Sequence, residues 1–378
     1  MIRSLCIAIA LLLATGTVSA DVERSIAGSV QLDYLAVPTE RPARDLGFDA
    51  MTVELSLKMA VDFNDHASAS VKMCYACHGL EVGMAFDDLR YKDELSVRVG
   101  RFTPSFGNFP LRHDPANHRT SDKPLPYDMG RMLRLQEWNM SVLPAPWVDN
   151  GIEVGGTHFF GDKARVDYAA YVISGPKARA DDADFNFIES RSRERYYVDN
   201  NSEPVGGARV AASFDIGEDG SLSAGLSGMA GHYDPEAELG FAMFGVDLVA
   251  MYKGAFLRAE YLVRGTEMPL GDDPAQRFKY GPDEDGEFDD IFIKDGFYLE
   301  AQIPVGRVDF IARWDGMRRF GNVLANSPLR SKSIVLRYTG GLAIELFSGL
   351  RLKTSLEVYD FSDFEDEMAV HLGLATPF

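Results

Sequence analysis

The sequence predicts an all-β chain, a transmembrane antiparallel β-barrel of about 16 strands with short periplasmic turns and long external loops. Three observations point to it: alternating segments of about ten residues, connections that switch between short and long, and a last strand ending in Phe378. The clearest segment runs from Leu350 to Val358. Leu350, Leu352, Leu356 and Val358 fall on one face, and Arg351, Lys353, Ser355 and Glu357 on the other, as a two-residue period requires. The same pattern sets Phe297, Leu299, Ala301, Ile303 and Val305 against Tyr298, Glu300 and Gln302. It also sets Val308, Phe310, Ala312 and Trp314 against Asp309, Ile311, Arg313 and Asp315, and Leu257, Ala259, Tyr261 and Val263 against Arg258, Glu260 and Arg264. A soluble β-sandwich also alternates. The loop rhythm, the terminal Phe and the even strand number favour the barrel.

The short turns include Lys92-Asp93-Glu94, Gly161-Asp162-Lys163, Glu218-Asp219-Gly220, Gly306 and Ser348-Gly349. The long connections cover about 104–146, 175–203, 265–294 and 320–331. The closing strand presents Val370, Leu372, Leu374, Thr376 and Phe378 at every second position, as bacterial outer-membrane barrels typically do. No composition break divides the chain, so 21–378 reads as one barrel domain.

Residues 1–20 read as a signal peptide: Arg3 is the basic region, Cys6 to Leu13 the apolar core, and Val18-Ser19-Ala20 the cleavage site. The apolar core is too short to span a bilayer, and no later apolar run of about 18 residues exists. A barrel strand averages its lipid-facing and lumen-facing residues, which fits the mean hydropathy of −0.13 with 35 Gly, 24 Phe and 15 Tyr. The formal charge is −19, or −20 once Arg3 leaves with the leader. Such acidity argues against nucleic acid as a partner. The expected surroundings are outer-membrane lipid and lipopolysaccharide, with small solutes or ions in the lumen.

Several segments resemble the phosphate-selective (O/P-type) porin family. Gly28-Ser-Val-Gln-Leu-Asp-Tyr34 resembles its first strand, Leu95-Ser-Val-Arg-Val-Gly-Arg-Phe-Thr-Pro-Ser-Phe-Gly107 the strand leading into its long third external loop, and Asp87-Asp-Leu-Arg-Tyr91 the strand end before it. The resemblance covers best the first 110 or so residues. It implies a 16-stranded barrel with a loop folded into the lumen, and a homotrimer. The family's basic ladder is not identifiable here, so phosphate is not carried over.

Cys74-Tyr-Ala-Cys77-His78 matches the C-x-x-C-H signature of covalent c-type haem attachment: two thiols for the vinyl groups and His78 for the iron. Cys6 leaves with the leader, so these are the only two cysteines after cleavage. A Cys74–Cys77 disulfide is the alternative; a zinc site lacks further ligands. On a regular strand residues three apart face opposite sides, so a chain regular through Cys77 sinks haem and disulfide alike. Strand counting puts the required bend near the external end of the third strand. His113 and His118 are the distal iron candidates, with Met129 and Met132 as thioether alternatives. His66 is expected in a periplasmic turn and His371 on the last strand.

The loop at about 104–146 carries Arg112, Arg119, Lys123, Arg131 and Arg134 beside Asp114, Asp122, Asp128 and Glu137, with prolines at 110, 115, 124, 126, 144 and 146 to stiffen it. Folded inward it forms a charged constriction, to which Arg98, Arg112, Arg119 and Arg131 are candidate contributors; as an external lid it would pack on its own side chains. The acidic run Asp283 to Asp290 does not match an EF-hand. No G-x-S-x-G, H-E-x-x-H or Walker motif is present, so a carrier or channel is expected rather than a catalyst. Two functions remain. One is a porin-like barrel with one covalent haem c, passing electrons or sensing redox state at the cell surface. Because one haem cannot cross a core of roughly 30 Å, it would need a periplasmic or lumenal cytochrome as partner. The other is an ordinary diffusion porin with a Cys74–Cys77 disulfide.

Overall fold

The computed structural model describes residues 22–38, 51–76, 79–178, 184, 187 and 199–378. They form one closed antiparallel barrel of sixteen strands. In chain order these are β1 (Glu23–Ala36), β2 (Met51–Asn64), β3 (Ala67–Ala76), β4 (Gly79–Lys92), β5 (Leu95–Phe102), β6 (Asp149–Phe160), β7 (Ala164–Ile173) and β8 (Val205–Ile216). Then follow β9 (Gly220–His232), β10 (Gly240–Tyr252), β11 (Ala255–Glu267), β12 (Ile291–Val305), β13 (Val308–Phe320), β14 (Lys332–Phe347), β15 (Leu350–Phe361) and β16 (Glu367–Pro377). Each strand pairs with its neighbours in sequence, and β1 closes on β16 with Leu32 opposite Leu374 and Tyr34 opposite Leu372. At the seam Gly28 and Phe378 exchange both backbone hydrogen bonds, at 2.8 and 3.0 Å. A Cβ at Gly28 would meet the Ser56 carbonyl oxygen on β2 and the Phe378 ring, each at 2.5 Å, and the fixed backbone oxygen makes glycine necessary there.

The apolar face of each strand points out. Leu299, Ile303, Phe310, Trp314, Leu356 and Val358 are exposed, whereas Tyr298, Glu300, Gln302, Arg313, Asp315, Lys353, Ser355 and Glu357 are buried inside. A soluble sandwich would bury the first set. A closed barrel with an apolar exterior is the solution a bilayer demands, because closure leaves no unpaired sheet edge in lipid. Tyr91, Phe160, Phe214, Tyr252, Phe347 and Phe378 are exposed beside the short turns or at the terminus, the aromatic girdle of one bilayer interface. All short turns seen in the sequence lie at that end, which in outer-membrane barrels faces the periplasm. Both described termini lie there too. The long connections lie opposite, at 103–148, 174–204, 268–290 and 321–331, close to the expected bounds. The external links at 233–239 and 362–366 are shorter than that rhythm implied.

β3 ends at Ala76, which pairs with Gly79 at the start of β4. Cys77 and His78, where the haem reading required a bend, lie outside the described residues. His66 is in the β2–β3 turn, 2.8 Å from the Arg90 carbonyl, and His371 is on β16, both as expected.

Candidate functional site: the lumen and its inward loop

The connection 103–148 folds into the barrel. Its apolar residues Phe106, Phe109, Leu125, Tyr127, Met132, Trp138, Val142 and Leu143 are buried, and short helical turns at Phe109–Arg112 and Leu125–Tyr127, each with an early proline, keep it compact. It enters through Gly107 at φ +65°, where a Cβ would strike the Tyr127 hydroxyl at 2.3 Å and Glu260 at 2.7 Å, so the turn needs glycine.

Charged groups of the wall hold the loop. Glu260 on β11 accepts four hydrogen bonds: from Asn108 N at 2.9 Å, Phe109 N at 2.7 Å, Tyr127 Oη at 2.6 Å and Tyr298 Oη at 2.5 Å. Burial, with the Glu260 carboxylate next, holds the Tyr127 hydroxyl protonated well above its ordinary range. Arg313 and Arg337 both reach Asp122 Oδ2 at 2.5 Å, and Asp315 accepts from Leu125 N at 2.9 Å. Burial opposes ionisation of Asp122, but Arg313 and Arg337 outweigh it and hold the carboxyl below its usual range. Lys294 on β12 donates to three carbonyls, Trp138 and Met140 at 2.6 Å and Asn139 at 3.1 Å. That cradles a bend in which Asn139 and Met140 have φ of 49° and 62°.

Three of the four expected constriction arginines are therefore fasteners. Arg112 donates to Tyr298 Oη at 3.0 Å and lies over the Phe109 ring. Arg119 pairs with Asp309 at 2.6 Å. Arg131 binds Glu54 and Thr52, each at 2.9 Å, and the Ser121 carbonyl. Arg98 stands apart on β5, paired with Asp88 at 2.8 Å and facing Glu153 at 3.4 Å. Of the four, it faces open space.

That space lies at the periplasmic end against β4–β9. One cavity of about 510 Å³ is lined by Ser105 and Asn108 of the loop, Arg165 and Asp167 of β7, Arg209 of β8 and Ser221 and Ser223 of β9. A second, of about 590 Å³, is lined by Arg98, Asp88, Glu153, Ser96 and again Ser105. Small inward residues on β9 leave this room: a Cβ at Gly225 would meet Asp247 Oδ2 at 2.4 Å and Arg209 Nη2 at 2.5 Å. The loop thus fills the side of the lumen along β11–β16 and β1–β3 and leaves polar space on the other.

Of the haem candidates, Cys74, His113, His118, Met129 and Met132 are among the described residues. Cys74 alternates with Lys72, which reaches the loop, so both point into the lumen. Lys72 Nζ lies 2.8 Å from His113 Nε2, and His113 Nδ1 lies 2.5 Å from the Pro110 carbonyl, so both ring nitrogens are engaged. His118 Nδ1 meets the Thr120 carbonyl at 2.9 Å, and its Nε2 is buried. Burial first, then Lys72, press the His113 pKa down to about 3; burial, then Lys353, hold His118 well below its ordinary value. Met132 is buried in the loop core, and Met129 Sδ lies 3.9 Å from Lys123 Nζ. Among the described residues no group of three His, Cys, Asp or Glu side chains is disposed to hold a metal. Sequence reasoning placed the loop but missed Glu260, Lys294, Arg313 and Arg337. The available signal was a charged residue at every second position of otherwise apolar strands.

No family model matches the chain. A curated protein of Aquifex aeolicus, described as uncharacterized, is 21% identical over 159 residues, 41% of this chain. The match spans a third of that protein's length. Among solved structures the chain is similar to an anion-selective porin from Comamonas acidovorans, at 15% identity, TM-score 0.55, and 95% and 100% of the two chains. It is also similar to the outer-membrane channel DcaP of Acinetobacter baumannii, at 10% identity, TM-score 0.54, and 96% and 99% coverage. OmpF of Salmonella typhi, solved with daunomycin, follows at 10% identity, TM-score 0.53, and 94% and 97% coverage. The fold is that of bacterial outer-membrane barrels, and its apolar exterior is the face such a membrane covers.

Proposed function

We propose that the protein is a diffusion porin of the bacterial outer membrane, passing small polar solutes or ions. One observation carries this reading: a long loop lies inside a closed sixteen-stranded barrel, fixed to one wall by charged groups, with polar space beside the other. A lumen narrowed by a tethered loop selects by size and charge. The homotrimer of the resemblance goes with this reading. The test is single-channel recording with purified protein in planar bilayers. Discrete, salt-dependent conductance steps support the reading; an electrically silent, correctly folded barrel sinks it.

The C-x-x-C-H string supports a second reading, a barrel that also carries one haem c for electron transfer or redox sensing with a partner cytochrome. The described part of β3 ends at Ala76, one residue before Cys77. A haem would be held by Cys74, Cys77 and His78 and would supply a one-electron couple. Intact mass and a pyridine haemochrome spectrum, on protein from a host competent in c-type maturation, decide it. A mass gain of one haem that disappears in C74A/C77A supports it; a mass two protons light supports the disulfide.

A further inference from the structure

A third cavity, of about 360 Å³, lies at the external end, outside the fastened core of the loop. Its floor is made by Glu137 and Asn139 of the inward loop, Phe292 of β12 and Arg319 of β13, and its rim by Gln136 and Asn326. Arg319 lies over the Phe292 ring, with Cζ 4.7 Å from its centroid, and donates through Nη1 to the Glu137 carbonyl at 2.9 Å. Two lining side chains carry unspent capacity: Arg319 Nε, a donor, and Glu137 Oε2, an acceptor, are both buried without a hydrogen-bond partner. A buried polar atom left unpaired is costly, and native structures pair such atoms with protein, water or a bound group. The volume is in the range of small-molecule sites.

We propose that this cavity binds a small polyhydroxylated ligand, a sugar, at the external mouth. A hydroxyl donates and accepts at once, so one ring satisfies Arg319 Nε and Glu137 Oε2 together. The amides of Gln136, Asn139 and Asn326 add further donors and acceptors. Glu137 and Asp184 against Arg319 give the lining no net attraction for an anion. The site rests on its own geometry and does not require the lumen to conduct.

Calorimetric titration of the detergent-folded full-length protein tests it, with maltose, lipopolysaccharide core oligosaccharide and glycine as probes. Saturable maltose binding supports a free solute as ligand; saturation by core oligosaccharide alone supports the same chemistry supplied by the cell surface. Asn326→Trp, on the exposed rim, should abolish binding while the barrel stays folded. Arg319→Met should weaken it about tenfold or more. Should Arg319→Met unfold the loop, Asn326→Trp still decides. Binding by glycine in place of the sugars, no saturation by either sugar, or binding untouched by Asn326→Trp overturns the proposal.

Discussion

Glu260 shows how much of the fastening of the 103–148 loop one side chain can carry. Its two oxygens accept two backbone amides and two phenol hydroxyls in a buried site, and a carboxylate can do so because it carries about four lone-pair positions. In Glu260→Gln the amide nitrogen would face donors it cannot accept from. We expect a loss of about 1–3 kcal/mol in loop anchoring, seen as larger and noisier conductance steps with the barrel intact by heat-modifiability. Steps indistinguishable from wild type would mean the loop is held elsewhere. The strand sequence Arg258-Ala-Glu260-Tyr-Leu-Val-Arg264 announced that Glu260 points inward. It did not announce that the loop amides 108 and 109 would meet it, because that contact joins segments some 150 residues apart. For the same reason Arg112, Arg119 and Arg131 looked like pore charges when read alone, although each has its acceptor on a strand that sequence order hides.

At the scale of the element, the inward loop is fastened through groups that resist protonation. Lys72 donates to His113 Nε2, which requires a neutral ring, and Nδ1–H then donates to Pro110. An imidazole in the unfolded chain titrates near 6.5, whereas His113 in the fold is pressed down to about 3. Between these values the unfolded chain takes a proton that the folded loop refuses. The contribution to stability is therefore complete above about pH 6.5 and falls away as pH drops toward 3; His118, shifted in the same direction, adds to the trend. The unfolding temperature should decline from pH 7.5 to pH 4.5, and His113→Asn, which can still accept from Lys72 but cannot titrate, should flatten part of that slope. An unchanged slope in His113→Asn would assign the acid sensitivity to other groups. The loop's inward position was implied by Leu95 to Gly107 through the family resemblance, and its prolines by the sequence itself; the neutral state of its histidines came only with their burial.

The whole molecule closes where its two ends meet. Phe378 covers Gly28, and the two residues exchange backbone hydrogen bonds. Every other strand pair is consecutive in the chain, but β1 and β16 are held only by contact, and their pairing is the longest-range step in assembly. Gly28→Val places a branched side chain where even a Cβ would lie 2.5 Å from the Phe378 ring, and should lower the folded yield far more than the same change at Gly340, beside which nothing lies within 4 Å. Equal yields would mean that closure tolerates a displaced terminus. The sixteen strands were legible because lipid and lumen impose one period on all of them.

Net charge is the property for which the whole chain misleads about its pore. The acidic excess includes Asp283 to Asp290, which lies in the external β11–β12 connection with Asp283 accepting from the amides of Asp285 and Glu287 at 3.0 and 2.9 Å. The periplasmic cavities are nearly balanced: Lys163, Arg165 and Arg209 against Asp162, Asp167 and Asp215 in one, and Arg90, Lys92 and Arg98 against Asp65, Asp88, Asp93 and Glu153 in the other. Exposed loop charges more than about 10 Å from the permeation path are screened at 0.1 M salt, whereas charges lining a narrow lumen act at close quarters. The reversal potential in a KCl gradient should therefore lie near zero in spite of a formal charge of −19. Arg98→Ala, which removes a wall cation and leaves Asp88 and Glu153 unopposed, should shift it toward cations. Neutralising Asp283, Glu284 and Asp285 should leave it in place at 0.1 M salt. Strong cation selectivity abolished by that external neutralisation would show instead that ions are sorted at the mouth, before they reach the loop.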